Sequence, residues 1–463
     1  MSTFSGISTS LSALYAARTA LDVSGQNIAN VNTDGYTRQR VDLSSVGGST
    51  TPAVHATSNG IGGGVTVNSV TRVQDAFLQA RAQIEHARSA DLDGQAQVMA
   101  RVEELFGEPS DTGLQSQLSD FWGAWHDVVN QPGTLAARAQ LLQRGGTVAD
   151  SLNTTAAGLS SLWDTTRGQA TALVAEVNSA ATGIAEMNQA IVRATASGLP
   201  ANELSDKRDQ LALRLAELTG STATVAADGT MNVTLGGASL VSGGTARSLS
   251  VAGPATMAGV GTDPAAKVAL TWTDGAPPAE AAVSSGSLAT SLRTLNDTLP
   301  GYRDKLDSVA ASVAGAVNKL HTAGYDLDGA PGKPFFTGTT AATIAVGITE
   351  PGKVAASAVT GGGLDAGNAD AIAALAGDAN GPDALYRSVV TDLGVESQNA
   401  KRRMTIQDTI TRTNDAQRAG TSGVSLDEEV TNMLLYQRAY QAASQAISTI
   451  DSTFDSLLSM MRG

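Results

Sequence analysis

The stretch Ile7-Ser-Thr-Ser-Leu11-Ser-Ala-Leu14-Tyr-Ala-Ala-Arg-Thr-Ala-Leu21-Asp-Val-Ser-Gly-Gln-Asn27-Ile28 places an apolar residue at every seventh position: Ile7, Leu14, Leu21 and Ile28, with Leu11 completing the first a/d pair. The same strict repeat returns at the far end, at Met433, Tyr440, Ile447, Phe454 and Met461, supplemented by Val430 and Leu458. A seven-residue apolar period marks a helix that buries a narrow stripe against another helix. The intervening positions taken four residues on (Arg18 and Gly25; Gln437, Ser444 and Asp451) are weak, so each helix alone would be marginal in water. Stripes at opposite ends of one chain are expected to pair with each other or to pack on neighbouring copies. Two ordinary amphipathic core helices would show the same period.

Working inward, Asn32-Thr-Asp-Gly35 is turn chemistry. Gly60-Ile-Gly-Gly-Gly64 reads as a flexible turn ahead of a short strand at Val65-Thr-Val67. Helical patterning runs from Val73 to Ser197, with breaks at Gly107-Glu-Pro109 and Asn130-Gln-Pro-Gly133, and again from Glu203 to Leu218, closed by Gly220. From Ser221 to Ser285 β-branched and small residues alternate, with a hairpin turn at Asp228-Gly229. Helical spacing returns at 288–323, a Gly/Ala/Pro-rich candidate β segment follows at Tyr325–Thr360, and helices resume from Asp370. The expected fold is mainly α with β insertions: long coiled-coil-like terminal helices, a helical middle domain and one or two β-rich inserted domains. The divisions are 1–35, an N-terminal helix; 36–220, the first part of a helical rod domain; 221–285, a β-rich insertion; 286–324, a return helix; 325–380, a Gly/Ala-rich insertion with candidate β character; 381–424, the last part of the rod domain; and 425–463, a C-terminal helix.

With 463 residues, 42% hydrophobic and 16% charged, the chain can bury a core spread over two or three domains. A net charge of −14 argues against a nucleic-acid partner, which needs clustered Lys and Arg. The absence of Cys removes disulfides, thiol nucleophiles and Cys-ligated metals. No apolar run is long enough to span a bilayer, and Met1-Ser-Thr-Phe-Ser-Gly-Ile7 has neither the basic nor the apolar region of a cleaved signal. The expectation is a chain that is cytosolic or leaves the cell without a cleaved signal, with no membrane insertion.

Catalytic chemistry leaves no mark. His55, His86, His126 and His321 are scattered, and none has a second ligand at metal spacing on one helix face. Asp326-Leu-Asp328-Gly329 resembles the start of a calcium loop, but Ala330 and Pro331 replace needed residues and no Glu closes it, so an exposed turn is expected. The Gly60–Gly64 cluster precedes a strand rather than a helix, which is wrong for a phosphate cradle. Trp122 and Trp125 read as a core-facing stripe, and Ser205-Asp-Lys-Arg-Asp209 as a solvated or capping first turn. No enzyme activity, metal or cofactor is expected.

Ala13-Leu14, Asn27-Ile-Ala-Asn30 and Asn32-Thr-Asp-Gly-Tyr36, followed by Arg38, closely resemble the N-terminal motif shared by bacterial flagellar rod, hook and hook-associated proteins. Gly423-Val-Ser-Leu-Asp-Glu-Glu429, Leu435-Tyr-Gln-Arg-Ala-Tyr440 and Ala442–Ile450 resemble the matching C-terminal motif. Leu204–Leu211 leading into Leu215-Ala-Glu-Leu218, Asp228–Gly236, and Asn318–Asp326 with Phe335-Phe-Thr-Gly338 favour the hook-associated branch at the hook–filament junction. Segments 240–285 and 340–380 carry no resemblance.

The resemblance implies a structural, self-assembling component of the extracellular flagellum. Export would run through the flagellum-specific secretion apparatus. Implied partners are hook protein, the second hook-associated junction protein, copies of itself in a ring or helical tube, and an export chaperone on the C-terminal helix. It also implies that the terminal helices form an inner tube from which the middle domains project. The expected assembly seams are Ile7, Leu11, Leu14, Leu21 and Ile28 on one helix and Met433, Tyr440, Ile447, Phe454 and Leu458 on the other. Asn27, Asn30, Asn32 and Gly35 would shape the turn leaving the tube wall. Residues 1–35 and 425–463 are expected to gain their order mainly on assembly. The competing readings are a hook or distal rod protein, a secreted enzyme such as a wall hydrolase, and a surface-binding module.

Overall fold

The computed structural model describes residues 3–47, 62–274 and 279–462. The chain enters as α1 (Thr3–Ala29), turns through 30–38, and forms an antiparallel ribbon of β1 (Gln39–Val46) and β2 (Gly64–Arg72). Next come α2 (Ala76–Phe106), α3 (Leu114–Asn130), α4 (Leu135–Ala196) and α5 (Asn202–Thr219). Asp75 starts α2 by accepting from the Phe77 and Leu78 amides at 2.8 and 3.2 Å. Gly220, left-handed at φ 69°, ends α5.

A four-stranded antiparallel sheet follows in sequential order: β3 (Thr222–Val225), β4 (Met231–Leu235), β5 (Ala238–Ser242) and β6 (Thr245–Ala246). A separate pair is made by β7 (Leu249–Ala252) and β8 (Ala269–Trp272). α6 (Gly286–Arg293) runs through one π turn into α7 (Leu299–His321). After the short pair β9 (Phe336–Thr337) and β10 (Ala345–Val346) come α8 (Gly367–Ala373), α9 (Pro382–Ser422) and α10 (Leu426–Arg462).

The spine is α4, whose 62 residues reach about 90 Å. One face of it, Leu141, Val148, Leu152, Leu159, Trp163, Val174, Val177 and Ile184, is buried against the other helices and the strands. At one end Phe121, Trp122, Trp125, Phe335 and Phe336 pack at tilted to edge-to-face angles in a single aromatic knot, so the Trp122/Trp125 stripe does face the core. The Trp122 indole N–H donates to Asp383 Oδ2 at 2.7 Å; burial of that carboxyl raises its pKa.

The mainly α architecture with β insertions is as the sequence implies, and the structure adds three details. Ahead of the helices, 39–46 pairs with 64–72 as a long ribbon that extends the strand expected at Val65–Val67. Its alternation is mostly polar and its faces stay half-exposed, so only Val65–Val67 carried a strand signal. In 325–380 regular strand is confined to β9 and β10; polar side chains satisfy much of the backbone instead, as when the Asn153 amide donates to the Ala341 and Ile344 carbonyls. In the Ser205–Asp209 cluster Asp206 and Arg208 are buried and pack inward, while Lys207 stays exposed.

Candidate functional site

α1 and α10, from opposite ends of the sequence, pack antiparallel along their lengths. Gly6 lies against Ile450, whereas Arg38, just past the end of α1, meets the first turn of α10. The inward stripe of α10 is Glu429, Met433, Tyr436, Tyr440, Ala443, Ile447, Ile450 and Phe454, spaced alternately by four and three. The intervening seam residues are therefore Tyr436, Ala443 and Ile450, three positions after each heptad residue rather than four. The same holds on α1, where Ala17 and Ser24 are buried and Arg18 and Gly25 are exposed. Apart from Asn27, the residues of α1 that are buried are small: Ala16, Ala17, Ala20 and Ser24.

Ile7, Leu14, Leu21 and Ile28 lie half-buried, as do Met433, Tyr440, Ile447 and Phe454. Leu11 and Leu458 do not join this seam and are exposed, together with Leu434, Leu435, Leu457, Met460 and Met461. α10 is ten residues longer than α1 by its bounds, and its last two turns run past the start of the pair.

The pair is fixed to the rest of the molecule at a joint made by 30–38, β2 and the 422–426 crossing. Asn27, 1% exposed, exchanges two hydrogen bonds with the Gln39 backbone, both 2.9 Å, and accepts a third from the Tyr36 hydroxyl at 2.8 Å. Burial, then the charges of Asp206, Glu203 and Glu429, pushes the Tyr36 pKa up to about 12, so it remains a donor. Asn30 accepts from Thr33 and donates to the Gln26 carbonyl. Asn32 is exposed. Gly35 sits at φ 74° under Gln210, whose amide donates to the Asp34 carbonyl; a Cβ here would lie 1.8 Å from Gln210 Nε2, so the turn requires glycine.

Two arginines lock the joint. Arg38 reaches Glu428 and the buried Glu429 at 2.8 Å each, and its own amide donates to the Ser422 carbonyl at 2.9 Å. Arg72 Nη1 donates to Asp206 and Asp209 at 2.8 Å, and Asp206 also accepts from the Thr37 amide. Sequence reading had found Asp206 and Asp209 but not their partner. A basic residue at the close of a strand, remote from the acidic pair, gives no local signal.

The remaining candidates for chemistry resolve into structure. His55 lies outside the described residues, and His126 is exposed. His321 donates from Nδ1 to the Lys333 carbonyl and accepts from the Ala355 amide at Nε2, a neutral core histidine. His86 is flanked by Glu217 and Asp415 from distant helices. The expected turn is there and its tip Asp328 is exposed, but Asp326 is buried; it accepts from two loop amides, and the Lys353 ammonium bridges Asp326 and Asp328. Among the described residues no group of His, Asp and Glu is arranged to hold a metal, and no helix is long and apolar enough to cross a membrane.

The two helices of this antiparallel pair, closed from opposite ends of the chain around a nested middle, both match families of bacterial flagellar proteins. Residues 7–37 match the flagella basal body rod protein family, and 416–460 match the C-terminal family of the basal body rod FlgEFG proteins. Residues 99–336, half of the chain, match the helical domain of flagellar hook-associated protein FlgK, and the chain belongs to that family. It is 29% identical to flagellar hook-associated protein 1 of Bacillus subtilis over 95% of this chain and 94% of that one. To the protein of the same name from Escherichia coli it is 30% identical over 71% of this chain and 59% of the relative. The solved structure of the flagellar hook junction protein FlgK from Burkholderia pseudomallei superposes with a TM-score of 0.50 and 23% identity over 56% of this chain and 46% of that one, a likeness of fold.

Proposed function

We propose that this flagellar protein joins hook to filament as a structural subunit, assembling through its paired ends, with no catalytic role. The observation that carries the reading is the α1–α10 pair. It is closed within the chain, yet it keeps Leu434, Leu435, Leu457, Leu458, Met460 and Met461 in water along one long helix. Copies standing side by side would cover those side chains. On this reading 1–35 with 425–463 is the inner tube unit. Segments 36–220, 286–324 and 381–424 form the rod-like middle, which projects outward from the tube together with the insertions 221–285 and 325–380. The partners are hook protein, the second junction protein and further copies in a ring or helical tube, with an export chaperone covering α10 before secretion without a cleaved signal.

The rod-type matches at both ends favour a second reading, a hook or distal rod component of the same axial family. Deleting the gene separates the two. A junction role leaves hooks intact while flagellin is lost to the medium. Absent hooks would instead assign the chain to hook or rod.

A further inference from the structure

The C-terminal half of α9 docks with almost no apolar burial. From residue 397 onward its buried positions are Ser397, Ala400, Gln407, Thr411 and Asn414, and the facing turns of α2 bring Ala82, Gln83, Glu85 and Ala87. The apolar side chains among them are all alanine and supply little hydrophobic stabilisation, so polar contacts hold the seam. Gln407 Nε2 donates to Glu85 Oε2 at 2.8 Å, Thr411 donates to the Glu85 carbonyl, and Lys401 and Ser397 meet Glu103. The Asn414 amide is buried with no hydrogen-bond partner among the described residues.

His86 stands across this seam. Its Nδ1 is 3.0 Å from Glu217 Oε1 on α5, and its Nε2 is 3.1 and 3.0 Å from the two carboxylate oxygens of Asp415 on α9. A neutral imidazole has one N–H and one bare nitrogen, so either tautomer would aim a lone pair at a carboxylate; the imidazolium alone donates to both.

Charged groups of both signs surround this bridge. On α5, Glu217 also accepts from Arg214, which grips Glu176 on α4. On α9, Arg418 stands 3.7 Å from Asp415, and Asp408 borders the same hollow as Asp93 of α2. Elsewhere on α2, Arg81 and Arg88 both turn to Glu85. The strand β3, which donates from the Ala223 amide to Gln83, carries no charge. The bond to Glu217 leads in raising the His86 pKa, against the opposing effect of burial, and lowers that of Glu217 in return.

We infer that His86 is a proton-operated fastener: charged, it ties the end of α9 to α2 and α5 just before the 422–426 crossing; neutral, it lets that stretch go. The stabilisation is complete below the pKa of free histidine and is lost as pH rises through the raised value in the fold. In the acid direction the bridge persists until Glu217 is protonated, which its lowered pKa delays.

The test uses the full chain. Amide exchange across the C-terminal half of α9, corrected for the intrinsic pH dependence of exchange, is followed from mildly acidic to mildly alkaline conditions. Protection should fall about tenfold for each unit by which the His86 pKa exceeds that of free imidazole. In His86→Gln it should already be low in acid and no longer vary with pH. Should the variant fold poorly, NMR titration of the wild-type imidazole decides: a midpoint above about 6.5 supports the fastener. A midpoint at or below that value, or protection that ignores pH, or an unaltered pH response in His86→Gln, overturns it.

Discussion

Asparagine is a poor helix former, yet it recurs on the buried faces of these helices for one purpose. Asn27, Asn178, Asn188, Asn296 and Asn318 each accept from a backbone N–H and donate to the C=O of the same residue, respectively Gln39, Leu249, Met231, Val268 and Phe336. A carboxamide presents the donor and acceptor of a peptide, so each of these side chains acts as a one-residue β partner projected from a helical segment or its edge. The strands and loops of the insertions are docked in this way. Asn318→Asp keeps shape and acceptor but sets a carboxylate against the Phe336 carbonyl. It should destabilise the fold by about 1–3 kcal/mol, read as a lowered denaturant midpoint with unchanged slope; an unaltered midpoint would refute the role.

At the scale of elements, the helices and their ends were legible because spacing and punctuation are local. The breaks at 107–109 and 130–133 fall between α2, α3 and α4, and Gly220 closes α5. The terminal seams were half legible: large residues announced the heptad, but of the positions three residues on, Ala17, Ser24 and Ala443 are too small to stand out, which left Tyr436 and Ile450 as the clues. Of the ribbon only Val65–Val67 was legible, because its faces are mixed, and the joint was missed because Arg38, Arg72, Asp206 and Glu429 come from separate regions of the sequence. Ile447 is half-buried in the α1–α10 seam. A carboxylate there lacks any partner of opposite charge, so Ile447→Asp should abolish incorporation into filaments while the near-ultraviolet signature of the core tryptophans is retained. Normal swimming by that strain would contradict the assignment of the seam.

For the molecule as a whole, stability should have an acid limb set by His321. Burial drops its pKa to about 4, and both ring nitrogens are committed, one donating and one accepting. The unfolded chain takes up a proton near pH ~6.5 and the folded chain resists until near 4, so stability present above the higher value is lost as pH falls toward the lower one, about 3 kcal/mol in all. Denaturant unfolding as a function of pH should show this limb, and His321→Gln should flatten it. An equal limb in the variant would assign it to carboxylates instead. The Arg38 clasp has a mechanical meaning on this scale. The polypeptide passes between the terminal pair and the bundle along two routes, and Arg38 binds one to the other through its backbone at Ser422 and its guanidinium at Glu428 and Glu429. A lone strand would be a swivel; two lashed together resist twisting of the terminal pair against the bundle, so the neck is built as a stiff joint rather than a hinge.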